Sequence, residues 1–165
     1  MVESAPEKTT FPRGWFAVGY SNEIENDQVQ GLAYFGTKYV AFRDEHGKLA
    51  ILDAYCPHLG ADISVGGKVE NGCVRCPFHA WKFDGDGKCV DVPYAKKIPR
   101  GAKVGSHPVS EVNGIIFMWH DPAGTEPHYE IPKVDQYHSG DWLEWSINSV
   151  IIKTHPREVV ENVAD

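Results

Sequence analysis

Two short segments hold the side chains of this sequence that can do inorganic chemistry. Cys56-Pro57-His58 and Cys76-Pro77-Phe78-His79 each set one thiol and one imidazole within three or four residues, and seventeen residues separate His58 from Cys76. Thiolate and imidazole suit iron, zinc and copper, whereas magnesium and calcium take oxygen. The proline after each cysteine fixes φ there and stiffens both segments. Two Cys and two His would satisfy tetrahedral zinc, but zinc sites usually pair like with like, as C-x₂₋₄-C and H-x₃₋₅-H. Here each segment is mixed. That mixing suits two irons, each loop giving its cysteine to an inner iron and its histidine to an outer one.

The elements that must position these segments are short apolar or aromatic runs closed by turn residues. Gly14–Gly19, Leu32–Phe35, Tyr39–Phe42 and Leu49–Leu52 are such runs. Turn signals stand at His46-Gly47, Asn71-Gly72, Gly85-Asp86-Gly87 and Asn113-Gly114, where hairpins need them. The stretch Val112-Asn113-Gly114-Ile115-Ile116-Phe117 is the clearest hairpin signal. No helical periodicity intervenes, so the spacing predicts an antiparallel, all-β domain from about Phe11 to His120, with both ligand segments on loops between strands.

After His120 the texture changes. Asp121-Pro122-Ala123-Gly124-Thr125-Glu126-Pro127 reads as a linker, and strands are expected around Trp142–Ser146 and Ser149–Ile152. A helix start follows, with Thr154 as its cap, Pro156 in the first turn and Val159, Val160 and Val163 on one face. The expected division is a disordered arm over 1–11, a β domain over 12–122, and a linker with the beginning of a second domain over 123–165.

Composition narrows the function. The 165 residues carry a net charge of −7, which argues against nucleic acid and anionic membrane as partners because both are polyanions. The longest apolar runs, such as Ile115–Trp119, fall far short of the roughly 18 residues that span a bilayer. The N-terminus has no apolar segment of the export type, which predicts a soluble, cytoplasmic protein. In a reducing compartment paired cysteines serve metals better than disulfides. Cys73 and Cys89 read as core or half-buried free thiols. His46, His107, His120, His128, His138 and His155 share no pair spacing and read as surface or satisfied residues.

The C-x-H and C-x-x-H pair resembles the Rieske signature. The stretches Ala54-Tyr55-Cys56-Pro57-His58-Leu59-Gly60-Ala61, Cys76-Pro77-Phe78-His79-Ala80-Trp81-Lys82-Phe83 and Asp86-Gly87-Lys88-Cys89 look like the Rieske domain of Rieske non-haem iron oxygenases, over about Trp15 to Asp121. The resemblance implies a Rieske-type antiparallel β-sheet domain with two cluster-binding loops. It implies a 2Fe–2S cluster with Cys56 and Cys76 on the inner iron and His58 and His79 on the outer one. Trp81 would shield that cluster. Rieske proteins of respiratory complexes carry a disulfide-forming cysteine on each loop; here those positions read Ala61 and Phe78.

The tail extends the resemblance. Glu161-Asn162-Val163-Ala164-Asp165 is similar to the start of the family's bridging helix, which implies that Asp165 links a Rieske histidine of one subunit to an iron-site histidine of its neighbour. Val65-Gly66-Gly67-Lys68-Val69, Val92-Pro93-Tyr94-Ala95 and Phe117-Met118-Trp119-His120-Asp121-Pro122 look like the sterol and steroid branch, which includes 3-ketosteroid 9α-hydroxylase oxygenase components and cholesterol 7-desaturases. By this resemblance the chain is the N-terminal part of a monooxygenase-type enzyme, ending in a linker, strands and helix start of a truncated α+β catalytic domain. The parent would be a homotrimer taking electrons from an NAD(P)H-dependent reductase or ferredoxin. It would pass them to a mononuclear Fe(II) in its missing domain, for dioxygen activation and oxidation of a hydrophobic substrate. The competing readings are a standalone Rieske ferredoxin and a zinc-stabilised binding module.

Overall fold

The computed structural model describes residues 11–143, 146–148 and 150–163. The chain forms two compact units, Met1–Lys133 and Val134–Asp165. The first is built from eleven antiparallel strands: β1 (Gly14–Tyr20), β2 (Gln30–Tyr34), β3 (Thr37–Arg43), β4 (Leu49–Asp53), β5 (Lys68–Glu70), β6 (Cys73–Arg75), β7 (Lys82–Phe83), β8 (Cys89–Asp91), β9 (Ser106–His107), β10 (Val109–Val112) and β11 (Ile115–His120). They make three sheets, in the orders β1-β11-β10, β2-β3-β4-β9 and β5-β6-β7-β8.

The sheet holding β3 and β4 has a core on each face, and period-two alternation explains why. Val40 and Phe42, with Ala50 and Leu52 beside them, face the core that also holds Ile63, Val74, Trp81, Phe83 and both ligand cysteines. Tyr39 and Ala41, with Leu49 and Ile51, face the other core, formed with Val18, Ile24, Ile116 and Met118. Burial on both faces is the physical reason that these two strands read as near-continuous apolar runs.

The expected hairpins form. Asn113-Gly114 joins β10 to β11 and Asn71-Gly72 joins β5 to β6, both residues of each turn lying at positive φ, as a type I′ connection requires. Phe35-Gly36 turns β2 into β3 in the same conformation, so the run Leu32–Phe35 ends inside a turn rather than in a strand. The His46-Gly47 and Gly85–Gly87 signals both belong to a longer loop used twice. Asp44 Oδ1 accepts from the backbone N–H groups of His46 and Lys48, and Asp84 Oδ1 accepts likewise from Asp86 and Lys88. Cys73 and Cys89 stand in strands as expected, the first half-buried and the second buried.

The segment after Asp121 lies against this unit instead of leaving it. Trp119 Nε1 donates to the Thr125 carbonyl at 2.7 Å, and Trp15 Nε1 donates to the Tyr129 carbonyl at 2.9 Å.

In the second unit one helix, α1 (Pro156–Val163), forms where it was expected. Its cap differs from the expectation. The helix starts at Pro156, which places Thr154 one residue too early, and the His155 ring accepts the Arg157 N–H at 3.2 Å. The described residues of the two expected strands, around Trp142 and Ile151, form no strand. Leu143 and Ile151 are more than nine-tenths exposed, and without a partner ladder an isolated apolar run has nothing to satisfy its backbone. Glu144, Trp145, Ser149 and Asp165 lie outside the described residues.

Candidate metal centre

Both ligand segments leave strands of the first unit and close on themselves by the same two hydrogen bonds. After β4, the Cys56 N–H donates to the Ala61 carbonyl at 2.9 Å and the Gly60 N–H donates back to the Cys56 carbonyl at 2.8 Å. After β6, the Cys76 N–H donates to the Trp81 carbonyl at 2.8 Å and the Ala80 N–H to the Cys76 carbonyl at 3.1 Å. The offsets are identical, five residues out and four back. The residue four places after each cysteine is left-handed in both loops: Gly60 at φ +74 and Ala80 at φ +61. Glycine meets that geometry without steric cost, and alanine does not.

The repeated turn puts like beside like. Cys56 and Cys76 are both buried, each 2% exposed, in one core. Burial pushes the Cys56 thiol up to about 11; a hydrogen bond from the His58 backbone opposes this, and the adjacent Cys76 thiol adds to it. Two such thiols ionise together only with positive charge between them, which is what iron provides. The imidazoles of His58 and His79 meet at a ring-centroid distance of 4.7 Å. His58 Nδ1 is buried and has no hydrogen-bond partner among the described residues, leaving a ring nitrogen free to ligate. Among the described residues no three His, Cys, Asp or Glu are disposed to hold a single metal ion. The donor set therefore divides into two thiols and two imidazoles, and it fits a 2Fe–2S cluster better than one tetrahedral zinc.

The surroundings of the two histidines differ. Trp81 stacks on His58, with centroids 4.8 Å apart and planes 10° from parallel, and its indole N–H donates to the Tyr94 hydroxyl at 2.7 Å. His79 instead has Phe78 beside it at 4.3 Å and Tyr94 at 6.4 Å. Leu59, Phe78 and Tyr94 are all more than 60% exposed. The expectation that Trp81 covers the site has a definite form here, since the indole lies over one imidazole only. Tyr94 is the residue that sequence reasoning missed as a site element. It belongs to a Val-Pro-Tyr-Ala stretch with no local chemical signal, and its partner Trp81 is distant in the chain.

The first loop has an anchor of its own. Asp62 accepts from Ser64 N and Oγ through one oxygen and from Lys38 Nζ through the other, at 2.9 Å. Burial pulls upward, but the hydrogen bonds from Ser64 and Lys38 hold its carboxyl below the usual carboxylate range.

A fold of short antiparallel sheets carrying two such loops defines a class, and the sequence comparison agrees with it: residues 14–108 match the Rieske 2Fe-2S domain, and this chain belongs to that family. Residues 118–165 match the 3-ketosteroid 9alpha-hydroxylase C-terminal domain. Among curated relatives, a cholesterol 7-desaturase of Ciona intestinalis is 45% identical over 94% of this chain and 33% of its own length. The oxygenase component of a 3-ketosteroid-9-alpha-monooxygenase of Rhodococcus rhodochrous is 40% identical over 99% of this chain and 43% of its own. A crystal structure of dicamba monooxygenase bound to dicamba superposes with a TM-score of 0.62 at 32% identity, covering 73% of this chain and 36% of that one. The chain thus spans less than half the length of these relatives. Among the described residues no helix is long and apolar enough to cross a membrane.

Proposed function

We propose that this chain is the electron-transfer part of a Rieske oxygenase acting on a steroid or sterol. One observation carries the reading: two loops built on the same turn place Cys56 with Cys76 in the core and His58 with His79 above them. Cys56 and Cys76 would hold the inner iron of a 2Fe–2S cluster, and His58 and His79 the outer one. A cluster so held supplies one-electron transfer. The protein's part is to keep the thiols dry, to fix the ring of His58 under Trp81, and to leave the His79 side open to a partner.

The parent protein takes electrons from an NAD(P)H-dependent reductase or ferredoxin and delivers them to a mononuclear iron(II) site, for dioxygen activation and hydroxylation or oxidation of substrate. The match of residues 118–165 to a steroid hydroxylase domain supports this over a standalone ferredoxin, as do the substrates named for the relatives. By the same reading the parent is a cytoplasmic homotrimer in which Asp165 bridges a Rieske histidine to the neighbouring subunit's iron site.

The test is spectroscopic. Protein purified with its iron and sulfide is expected to give two irons per chain and the low average g-value of a histidine-ligated cluster when reduced. His58→Ala and His79→Ala should each abolish that signal. A colourless, zinc-containing protein without acid-labile sulfide would overturn the reading.

A further inference from the structure

The charge of this protein is not evenly spread, and its one strongly basic stretch lies beside the proposed cluster. Between Lys88 and Lys103 stand five cations, Lys88, Lys96, Lys97, Arg100 and Lys103, against a single carboxylate, Asp91, in a chain of net charge −7. All five cations are exposed. None takes part in an ion pair among the described residues, although Lys38, Arg43, Arg75, Lys82 and Arg157 all do. The loop is nonetheless ordered by its backbone. Ala95 donates to the Val92 carbonyl and Ala102 to the Pro99 carbonyl, while Cys89 N–H to Ala102 and Val104 N–H to Gly87 tie its return to the strand it left. Lys88 and Lys103 face each other across that tie in a bridge.

Position gives the loop its meaning. It begins at Tyr94, whose hydroxyl receives the indole N–H of Trp81, and Trp81 stacks on His58. Consecutive Cα atoms are about 3.8 Å apart, so Lys96 and Lys97 lie within about 11 Å of Tyr94. Exposed Tyr94 and Ile98 add apolar surface among the charges, the mixture of anchor and charge that specific interfaces use. An extended polyanion such as nucleic acid or a membrane surface would meet the acidic remainder of the molecule as well. A compact acidic protein touching only this loop would meet the local positive charge and the indole-covered histidine together.

We infer that the loop Tyr94–Lys103 is the docking surface for an acidic electron-carrier protein, which it steers onto the Tyr94–Trp81 side of His58. This rests on the cluster reading above. Charge of this kind raises the rate of encounter and weakens with salt, since the Debye length falls from about 30 Å at 0.01 M to about 8 Å at 0.15 M.

The experiment uses the cluster-loaded protein and, as probe, an acidic plant-type 2Fe–2S ferredoxin, with affinity measured by calorimetry at low and at high ionic strength. The combined variant Lys96→Glu, Lys97→Glu and Arg100→Glu is expected to bind at least about tenfold more weakly at low salt, the difference shrinking at high salt. Lys48→Glu, at the opposite end of β4 from the cysteine loop, is expected to bind as the parent does. No measurable binding of the probe, equal affinity in the triple variant, or an equal loss in Lys48→Glu would overturn the assignment. So would a change in sedimentation of the triple variant, which would make the loop a contact between copies of this chain. The reduced-cluster spectrum separates the two proposals: retained with docking lost from the list of results, it sinks the docking surface alone; missing from the parent protein, it sinks the cluster reading.

Discussion

The two ligand loops share a backbone and differ in everything placed on it. Each is closed by a hydrogen bond from the cysteine N–H to a carbonyl five residues on and by a return bond from the fourth residue. That frame fixes where the cysteines go, and both go into the same dry core. Histidine spacing is not part of the frame: it is two residues after Cys56 and three after Cys76. The consequence is asymmetry, with His58 lying flat under Trp81 and His79 bordered by exposed Phe78. A repeated turn thus secures the metal-binding half of the site, while the unequal spacing gives the site one covered and one accessible face.

Removing a ligand should have the largest effect, and the shared frame says it should be equal on both loops. Cys56→Ser and Cys76→Ser are each expected to lose the 2Fe–2S absorbance and acid-labile sulfide completely; retention of a full complement of sulfide in either would break the equivalence. Next in size is the covering residue. Trp81 is 6% exposed, and Trp81→Ala is expected to cost about 3–5 kcal/mol, read from denaturant unfolding. Trp81→Phe keeps most of the packing but loses the bond to Tyr94, so it should perturb the spectroscopic signature of the cluster more than stability.

The left-handed residue tests the frame itself. Ala80→Gly is expected to stabilise the second loop by about 1 kcal/mol, whereas Gly60→Ala should destabilise the first by about the same amount. No atom lies within 4 Å of where a Cβ on Gly60 would sit, so backbone conformation alone sets that cost. Thermal unfolding of both variants reads the two signs.

The smallest expected effect is acid sensitivity confined to the first loop. The folded pKa of Asp62 is depressed, so its contribution is fully present above the ordinary carboxylate pKa and is lost as pH falls through the folded value. Melting temperatures followed downward from pH 5 should fall more steeply for the parent protein than for Asp62→Asn. Parallel curves would show that Asp62 does not anchor the loop.

Much of this site was legible because it is written in short segments. Mixed Cys and His pairs on turn-bounded segments announce both the donor set and the loops that carry it, and the Asn-Gly turns announce hairpins whose φ values the structure repeats. The tail was legible only in part. The α1 start is marked by Pro156, but its cap passed from Thr154 to His155 through a one-residue shift that no propensity distinguishes. The strand-like runs around Trp142 and Ile151 have the right composition and lack a partner, and pairing is not a local property.

The sequence by itself determined which atoms can bind metal, that they stand on two stiff loops, and that the strands between them alternate faces, because each of these depends on residue type and spacing over a few positions. Tertiary structure alone decided that the two loops repeat one turn, that Trp81 covers His58 and not His79, and that Tyr94 and a basic loop stand at that edge. Those relations join residues that only the pairing of β5 through β8 and the packing of a common core bring together, and such long-range contacts leave no period in the chain.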